Sequence, residues 1–302
     1  MRAAGTLTER LRRAAEVAGL DVLGITSAEP FEEYALPDSP RRDPSISLNG
    51  ARAIIVGGVY IGGLTLARWA DPWFGRTSRL YLSGYFLDVV APMESLAEVL
   101  RDEGYSAVVC NGSDPDGSVI PLKLAARRAG LGWQGKNSLL LSRTYGTFLA
   151  LGGLITDAQL DPEGDSEPDR CGRCTRCRDA CPTRAIDHAY VLDRSRCLSS
   201  LLSSDDLPLS ARAIMQNRVV DCEICQDVCP WNRKHIESPL ATPVGRRFDG
   251  RRDALERFFP LERLADLDEA EYERSVADLQ ADIPFEVFHR NVLLALENAR
   301  HA

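Results

Sequence analysis

The chain has 302 residues, of which 44% are hydrophobic and 26% charged, and it carries a formal net charge of −8. That length and composition belong to a globular protein with ample apolar material for a core, so no metal is needed merely to fold it. The acidic balance excludes a global basic field of the kind that attracts polyphosphates. Residues 171–236 depart from it locally, with ten Lys/Arg against eight Asp/Glu, which a solvated mixed face around cofactors explains as well as a nucleic-acid footprint does.

Met1–Gly19 is Arg-rich, places Leu7, Leu11, Ala14, Ala15 and Ala18 at helical spacing, and has no apolar core of a signal peptide. A helix is predicted over Leu7–Ala18, then buried strands over Val22–Thr26 and Ala53–Tyr60. The apolar stretch Ala53–Ala67 is broken by Gly57, Gly58, Gly62 and Gly63 and is shorter than the ~20 residues of a membrane span, so a cytoplasmic protein without a membrane partner is expected. Pro92–Glu103 reads as a helix stopped by Gly104, Tyr105–Cys110 as a strand, and Ile120–Ala129 as a helix ending at Gly130. Ser138–Leu141 and Thr147–Leu154 read as strands paired with each other. Alternating helices and strands predict an α/β or α+β layer domain over residues 1–156. Asp157–Asp169, with six acidic residues, two prolines and no basic one, reads as a solvated linker. A cysteine-rich module follows over 170–234, then a C-terminal segment over 235–302, helical from Arg251, that packs on the core. The fold class expected is therefore α+β.

Nine cysteines in a reducing compartment argue against a disulfide framework. Cys110 stands alone after a strand-like run and reads as a buried core thiol. The other eight fall between Cys171 and Cys229. Their first run is Cys171-x2-Cys174-x2-Cys177-x3-Cys181-Pro182, the spacing of bacterial ferredoxins, in which three close thiolates take one cube and the fourth, before Pro, takes the other. The second half is Cys222-x2-Cys225-x3-Cys229-Pro230, with Cys197 upstream completing it. Reciprocal ligation assigns Cys171, Cys174, Cys177 and Cys229 to one [4Fe–4S] cluster and Cys181, Cys197, Cys222 and Cys225 to the other. Zinc is the alternative for C-x2-C pairs, but a tetrahedral site gains nothing from a third close thiolate and a crossing fourth. Thr183–Ala185 and Trp231–Arg233 are expected to shield the cubes. His188, His235, His289 and His301 are unclustered and read as surface or helix residues.

Two long motifs carry a family resemblance. Ala129-Gly130-Leu131-Gly132-Trp133-Gln134-Gly135-Lys136-Asn137-Ser138-Leu139-Leu140 resembles the AGLGWxGKN(T/S)LL signature of epoxyqueuosine reductases, and Asp221–Asn232 resembles their second cluster loop almost residue for residue. Arg42-Asp43-Pro44, Gly50-Ala51-Arg52 and Arg290–Asn298 extend the match along the chain. The resemblance implies an N-terminal domain related to reductive dehalogenases, with a nitroreductase-like layer fold, that holds a base-off cobalamin. Two clusters would pass electrons, taken from a flavodoxin- or ferredoxin-type donor, to cobalt for removal of the epoxide oxygen of epoxyqueuosine in tRNA. It also implies corrin contacts at Gly135, Lys136, Asn137 and Ser138, with Asp221 and Gln226 facing the same pocket from the cluster loop. Counting back from Ala129 puts the family's proton donor at Asp116, with Asp114 as its rival; both also suit a turn over Asn111–Ser118. Of the family's A-R-Y-A-x-G-x-D-Y-H segment, Tyr81 and Gly84 are matched within Ser78–Asp88, while its D-Y-H is replaced. The family's C-terminal helical-repeat domain has no counterpart after Asn298, and with the acidic charge this weighs against tRNA and towards a small-molecule, dehalogenase-like substrate. A non-catalytic ferredoxin-like electron carrier is the alternative of another class.

Overall fold

The computed structural model describes residues 5–33, 43–84, 89–110, 120–162, 164, 166–275 and 283–302. In chain order the strands are β1 (Val22–Ser27), β2 (Ala53–Tyr60), β3 (Ala107–Cys110), β4 (Trp133–Gln134), β5 (Leu140–Leu141) and β6 (Leu149–Thr156). The helices before the cysteines are α1 (Leu7–Val17), α2 (Arg79–Ser83), α3 (Val90–Asp102) and α4 (Leu122–Arg128). Among the cysteines lie α5 (Arg176–Asp179), α6 (Leu198–Leu202), α7 (Leu209–Arg212) and α8 (Ile224–Asp227). After them come α9 (Arg233–Glu237), α10 (Pro243–Asp249), α11 (Arg252–Phe258), α12 (Leu261–Ala265), α13 (Glu269–Ser275) and α14 (Phe285–Arg300). Among the described residues no helix is long and apolar enough to cross a membrane.

The chain forms two compact units: residues 1–60 with 88–172, and residues 61–87 with 173–302. The first is a layered α+β unit. Its sheet is antiparallel throughout, in the order β1-β2-β6-β3. Every residue of β2 is buried, so alternate side chains feed two cores. Ala53 and Ile55 pack with Leu11 and Ala15 of α1 and with Met93, Leu96 and Leu100 of α3. Ile54 and Val56 pack on the other face with Leu124, Ala125 and Ala126 of α4. Cys110, 3% exposed, lies in that second core, as a core thiol should. α1 starts where Thr6 and Glu9 bond each other's backbone amides at 3.2 and 2.8 Å, a capping box that contributes about 1 kcal/mol. Gly57 of β2 pairs with Gly152 of β6, and the two make room for Met93; a Cβ at either would lie within 3.0 Å of that side chain.

Ser138–Leu141 and Thr147–Leu154 are not partners. β5 pairs with β4, whereas β6 is a central strand between β2 and β3. The tight turn after Gln134, with Gly135 N bonded to Leu139 O at 2.8 Å and Ser138 N to Gly135 O at 2.9 Å, folds β5 back on Trp133–Gln134. β6 is buried along most of its length and so finds a partner on each edge. Of the expected solvated linker, Ala158 and Leu160 are buried in the α1/α3 core, and the described residues from Asp161 onward are mostly exposed.

The β4–β5 hairpin depends on Gly132, whose φ is +156° and at which an added Cβ would lie 2.0 Å from the Leu141 carbonyl oxygen. Gly132→Ala is expected to open this hairpin at a cost of about 3 kcal/mol, read as a lowered urea midpoint. An unchanged midpoint would contradict this role.

The second unit begins with residues 61–87, a stretch inside the expected first domain that groups with the C-terminal half. Backbone bonds from Gly75 N to Phe259 O (2.7 Å), Arg76 N to Asn217 O (2.8 Å) and Val219 N to Arg76 O (2.9 Å) stitch it in. The Asn217 amide nitrogen donates to the carbonyls of Trp69, Asp71 and Phe74. The long helix α14 buries Val287, Phe288, Val292, Ala295 and Leu296, and with them the fully buried Asn291.

Candidate metal centre

The two C-x2-C-x3-C-P runs fold alike, residue for residue, within the second unit. In the first, Thr175 (φ −125°, ψ 4°) leads into the single turn of α5, and Ala180 (φ −83°, ψ −11°) leads out to Cys181. In the second, Glu223 (φ −116°, ψ 12°) leads into α8, and Val228 (φ −85°, ψ −4°) leads out to Cys229. The bonds match too: Thr175 O accepts from Arg178 N and Asp179 N, and Glu223 O accepts from Gln226 N and Asp227 N. α5 and α8 pack against each other. One local fold thus presents Cys174, Cys177 and Cys181 on one side and Cys222, Cys225 and Cys229 on the other. Pro230 then opens a 3-10 turn, and the fully buried Asn232 donates from Nδ2 to Gln226 O at 2.8 Å, while of the residues expected to shield the cubes Arg184 and Arg233 are exposed.

All eight clustered cysteines are partly buried and none is in a disulfide. Burial pushes the Cys222 thiol up to about 11; the Ile224 amide and Arg218 oppose the rise, and charge on Cys197 and Cys181 adds to it. The Cys225 thiol is driven well up by burial, then by charge on Cys222, Cys177, Cys197 and Cys181. Cys222 and Cys225 thus feel charge on Cys181 and Cys197, and Cys225 also on Cys177. Four crowded thiols resist ionising together unless a cationic core accepts their charge. A metal–sulfur centre fits this donor set.

Behind the second loop lies a buried ion network that the sequence did not announce. Arg79 and Glu223, each side chain 2% exposed, bond at 2.5 Å, and Glu223 also accepts from the Arg79 amide at 2.7 Å. Arg76 pairs with Asp227, which also lies 3.4 Å from Arg79. Both guanidiniums lie over the Trp69 ring. Arg218, 6% exposed, completes the group, with only the Met215 carbonyl and the Gln216 side-chain oxygen as acceptors among the described residues. The signal missed is charge at a loop expected to be apolar; partners 144 residues apart cannot be matched from spacing.

Asp221, left-handed at φ +59°, accepts from Ser78 Oγ at 2.7 Å and from Ser199 Oγ at 2.6 Å. Its carboxylate thus ties the segment after Cys197 to the residue before Cys222. Gln226 is half-buried in α8. From α14, Asn291 Nδ2 donates to the carbonyls of Leu202 and Val219, and Asn298 Nδ2 to those of Arg212 and Gln216. The Arg290–Asn298 motif therefore holds down the stretch between Cys197 and Cys222.

In the first unit, Gly135 and Asn137 are buried inside the β4–β5 hairpin, where Asn137 Oδ1 accepts from Leu139 N at 3.3 Å. A Cβ on Gly135 would meet that oxygen at 2.6 Å, so the hairpin itself requires this glycine. Lys136 and the left-handed Ser138 (φ 62°) are half-buried. The Lys136 ammonium donates to Gly172 O at 2.5 Å. Burial raises the Cys171 thiol, the Lys136 amide pulls it back, Asp169 raises it, and the Trp133 indole N–H lowers it. The expected corrin hairpin is thus also a support for the loop that carries Cys171. Asp116 and Asp114 lie outside the described residues. His235 is buried in α9, His289 sits in α14 with Nε2 3.1 Å from Ala265 O, and His188 and His301 are exposed.

Residues 170–232 match a family described as a 4Fe-4S double cluster binding domain. An epoxyqueuosine reductase of Gloeobacter violaceus is 33% identical over 251 residues, 78% of this chain and 73% of its own length. One from Burkholderia pseudomallei is 35% identical over 250 residues, 78% of this chain and 58% of its own. One from Cyclobacterium marinum is 50% identical over 110 residues, 36% of each chain. Several such relatives are matched over less than two thirds of their length: 36% for that protein, 60% for one from Synechococcus and 41% for one from Pseudomonas aeruginosa. In fold, a crystal structure of epoxyqueuosine reductase with an epoxyqueuosine-modified tRNA-Tyr stem loop superposes with a TM-score of 0.80 over 98% of this chain and 82% of that one, at 23% identity. A reductive dehalogenase structure superposes at 0.55 over 85% of this chain and 37% of that one, at 19% identity. With an iron–sulfur module at its centre and a relative matched along nearly three quarters of its length, this chain belongs to the epoxyqueuosine reductase family.

Proposed function

We propose that the chain is a cobalamin-dependent reductase fed by two [4Fe–4S] clusters. The observation that carries this reading is the pair of matching cysteine loops packed on each other in a family of reductases. One cluster takes Cys171, Cys174, Cys177 and Cys229, and the other Cys181, Cys197, Cys222 and Cys225, as ferredoxin spacing dictates. When bound, cobalamin supplies a strongly reducing metal for expelling an oxygen or other leaving group, chemistry no side chain provides. Cobalamin enters through family membership and through the fold shared with a reductive dehalogenase whose reported mechanism is B12-dependent.

The chain's own residues have narrower tasks. The eight thiolates hold the one-electron centres, and the Asp221 carboxylate fixes the segments beside Cys197 and Cys222 through Ser199 and Ser78. Of the hairpin residues, Lys136 and Ser138 present surface to a corrin, while Gly135 and Asn137 keep the turn in shape. Asp116 is the proposed proton donor, a task for which an acid with a pKa near the working pH is best suited. A flavodoxin- or ferredoxin-type protein supplies electrons, in the cytoplasm. The substrate is an epoxyqueuosine-bearing tRNA like that bound by the superposable relative. The net charge of −8 favours a second reading, a small molecule reduced in the same way.

Anaerobic reconstitution with cobalamin tests this directly. The expected result is a paramagnetic-resonance spectrum of bound cobalt without an axial nitrogen, beside those of reduced clusters. Clusters with no corrin uptake would instead identify an electron carrier. Reduction of a modified tRNA stem loop, set against a panel of halogenated aromatics, separates the two substrate readings.

A further inference from the structure

Arg218 is a buried guanidinium without a carboxylate partner among the described residues. Its neighbours in the network are matched, Arg79 by Glu223 and Arg76 by Asp227. Arg218 Nη1 reaches only two neutral acceptors there, Met215 O at 3.4 Å and Gln216 Oε1 at 3.0 Å, and its Nε is buried with no acceptor. Its backbone is pinned by a bridge to Arg76 and by Val219 N to Arg76 O, so the side chain cannot simply leave. A buried cation with no carboxylate bonded to it is unfavourable unless negative charge lies nearby. Four residues further on comes Cys222. Burial lowers the Arg218 pKa; charge on that thiol is the first influence to oppose it, Arg76 adds to the lowering, and Asp227 and Glu223, each bonded to its own arginine, oppose it further.

We propose that Arg218 makes the cluster of Cys181, Cys197, Cys222 and Cys225 the more easily reduced of the two, so that electrons collect there. This rests on the two-cluster reading above. One-electron reduction adds a negative charge to a centre that four thiolates already make anionic. A fixed cation in a low-dielectric setting stabilises the reduced form more than the oxidised one. Around the first loop, Arg173 and Arg176 are exposed, where water screens them, and the Arg178 guanidinium is taken up by the carbonyls of Ile186 and Asp187. The Lys136 ammonium, bonded to Gly172 O beside Cys171, is only half-buried and so more screened than Arg218. Arg218 is a positioning charge, acting on the potential through the thiolates.

The test is a redox titration of the reconstituted full chain, followed by paramagnetic resonance, with dithionite as the one-electron source. The unaltered protein is expected to show two midpoint potentials. Arg218→Gln should shift the higher one by about tenfold in the reduction equilibrium, ~59 mV more negative for a one-electron couple, and leave the lower one in place. Arg218→Lys, which keeps the charge, should retain most of the wild-type value. If Arg218→Gln loses a cluster, Arg218→Met, which keeps the stem, is read in the same way. An unmoved higher potential, equal shifts in both clusters, or Lys as damaging as Gln would each overturn the proposal. A wild-type chain whose iron and sulfide analyses show no clusters would overturn the two-cluster reading, and this inference with it.

Discussion

Cys181→Ala and Cys225→Ala are expected to abolish the same cluster, although 44 residues and two different loops separate them. Cys177→Ala, four residues from Cys181, is expected to abolish the other. The reason lies in the reciprocal ligation proposed for the matching loops: the two close thiols of each turn, α5 or α8, would serve one centre and the third, before proline, the neighbouring one. Charge on Cys181 acts on both Cys222 and Cys225, which places Cys181 near the second loop, although Cys177 acts on Cys225 as well. Iron should fall from about eight to about four per chain in each single variant, as loss of one cube requires. In Cys177→Ala combined with Cys181→Ala, iron should fall to near zero. If Cys181→Ala instead removes the same resonance signal as Cys177→Ala, the clusters do not exchange ligands and the assignment is wrong.

Glu223→Ala is expected to destabilise the second unit by about 3–5 kcal/mol, because it removes the buried carboxylate that bonds both the Arg79 guanidinium and the Arg79 amide. Both side chains are almost fully buried, so water cannot replace the lost carboxylate. The wild-type pair need not be a net gain. Arg79→Met combined with Glu223→Leu removes both charges and should recover most of the loss, since a well-packed apolar pair is often as stable as a buried ion pair. Urea unfolding of the two variants beside the unaltered chain decides it. A cost below about 1 kcal/mol for Glu223→Ala would show that the pair is not a structural anchor.

Much of this is legible in the residues. Proline-terminated cysteine runs have few structural meanings, and the module they mark follows from spacing alone. β1, β2 and α1 are legible because an all-apolar run and a capped amphipathic pattern each point to one element. The pairing of β6 is not, since a strand buried on both faces carries no alternation to show its partner. Nor is the grouping of residues 61–87 with the C-terminal half, which rests on backbone bonds such as Gly75 to Phe259. At the site, Asn291 gives a faint signal as a polar residue on the apolar face of α14; Arg79 and Arg218 give none, because an arginine reads as surface until its burial is seen. Asp221 is expected at a corrin pocket, and its two carboxylate oxygens bond serine hydroxyls. The GWQGK hairpin reads as a corrin contact and is also bonded to the loop of Cys171.

The most direct test is elemental analysis of the chain purified and handled without oxygen. Two thiolate-bound cubes predict about eight iron and about eight acid-labile sulfide per chain, with no zinc. Stoichiometric zinc, or iron without sulfide, would contradict the electron-transfer reading from its foundation.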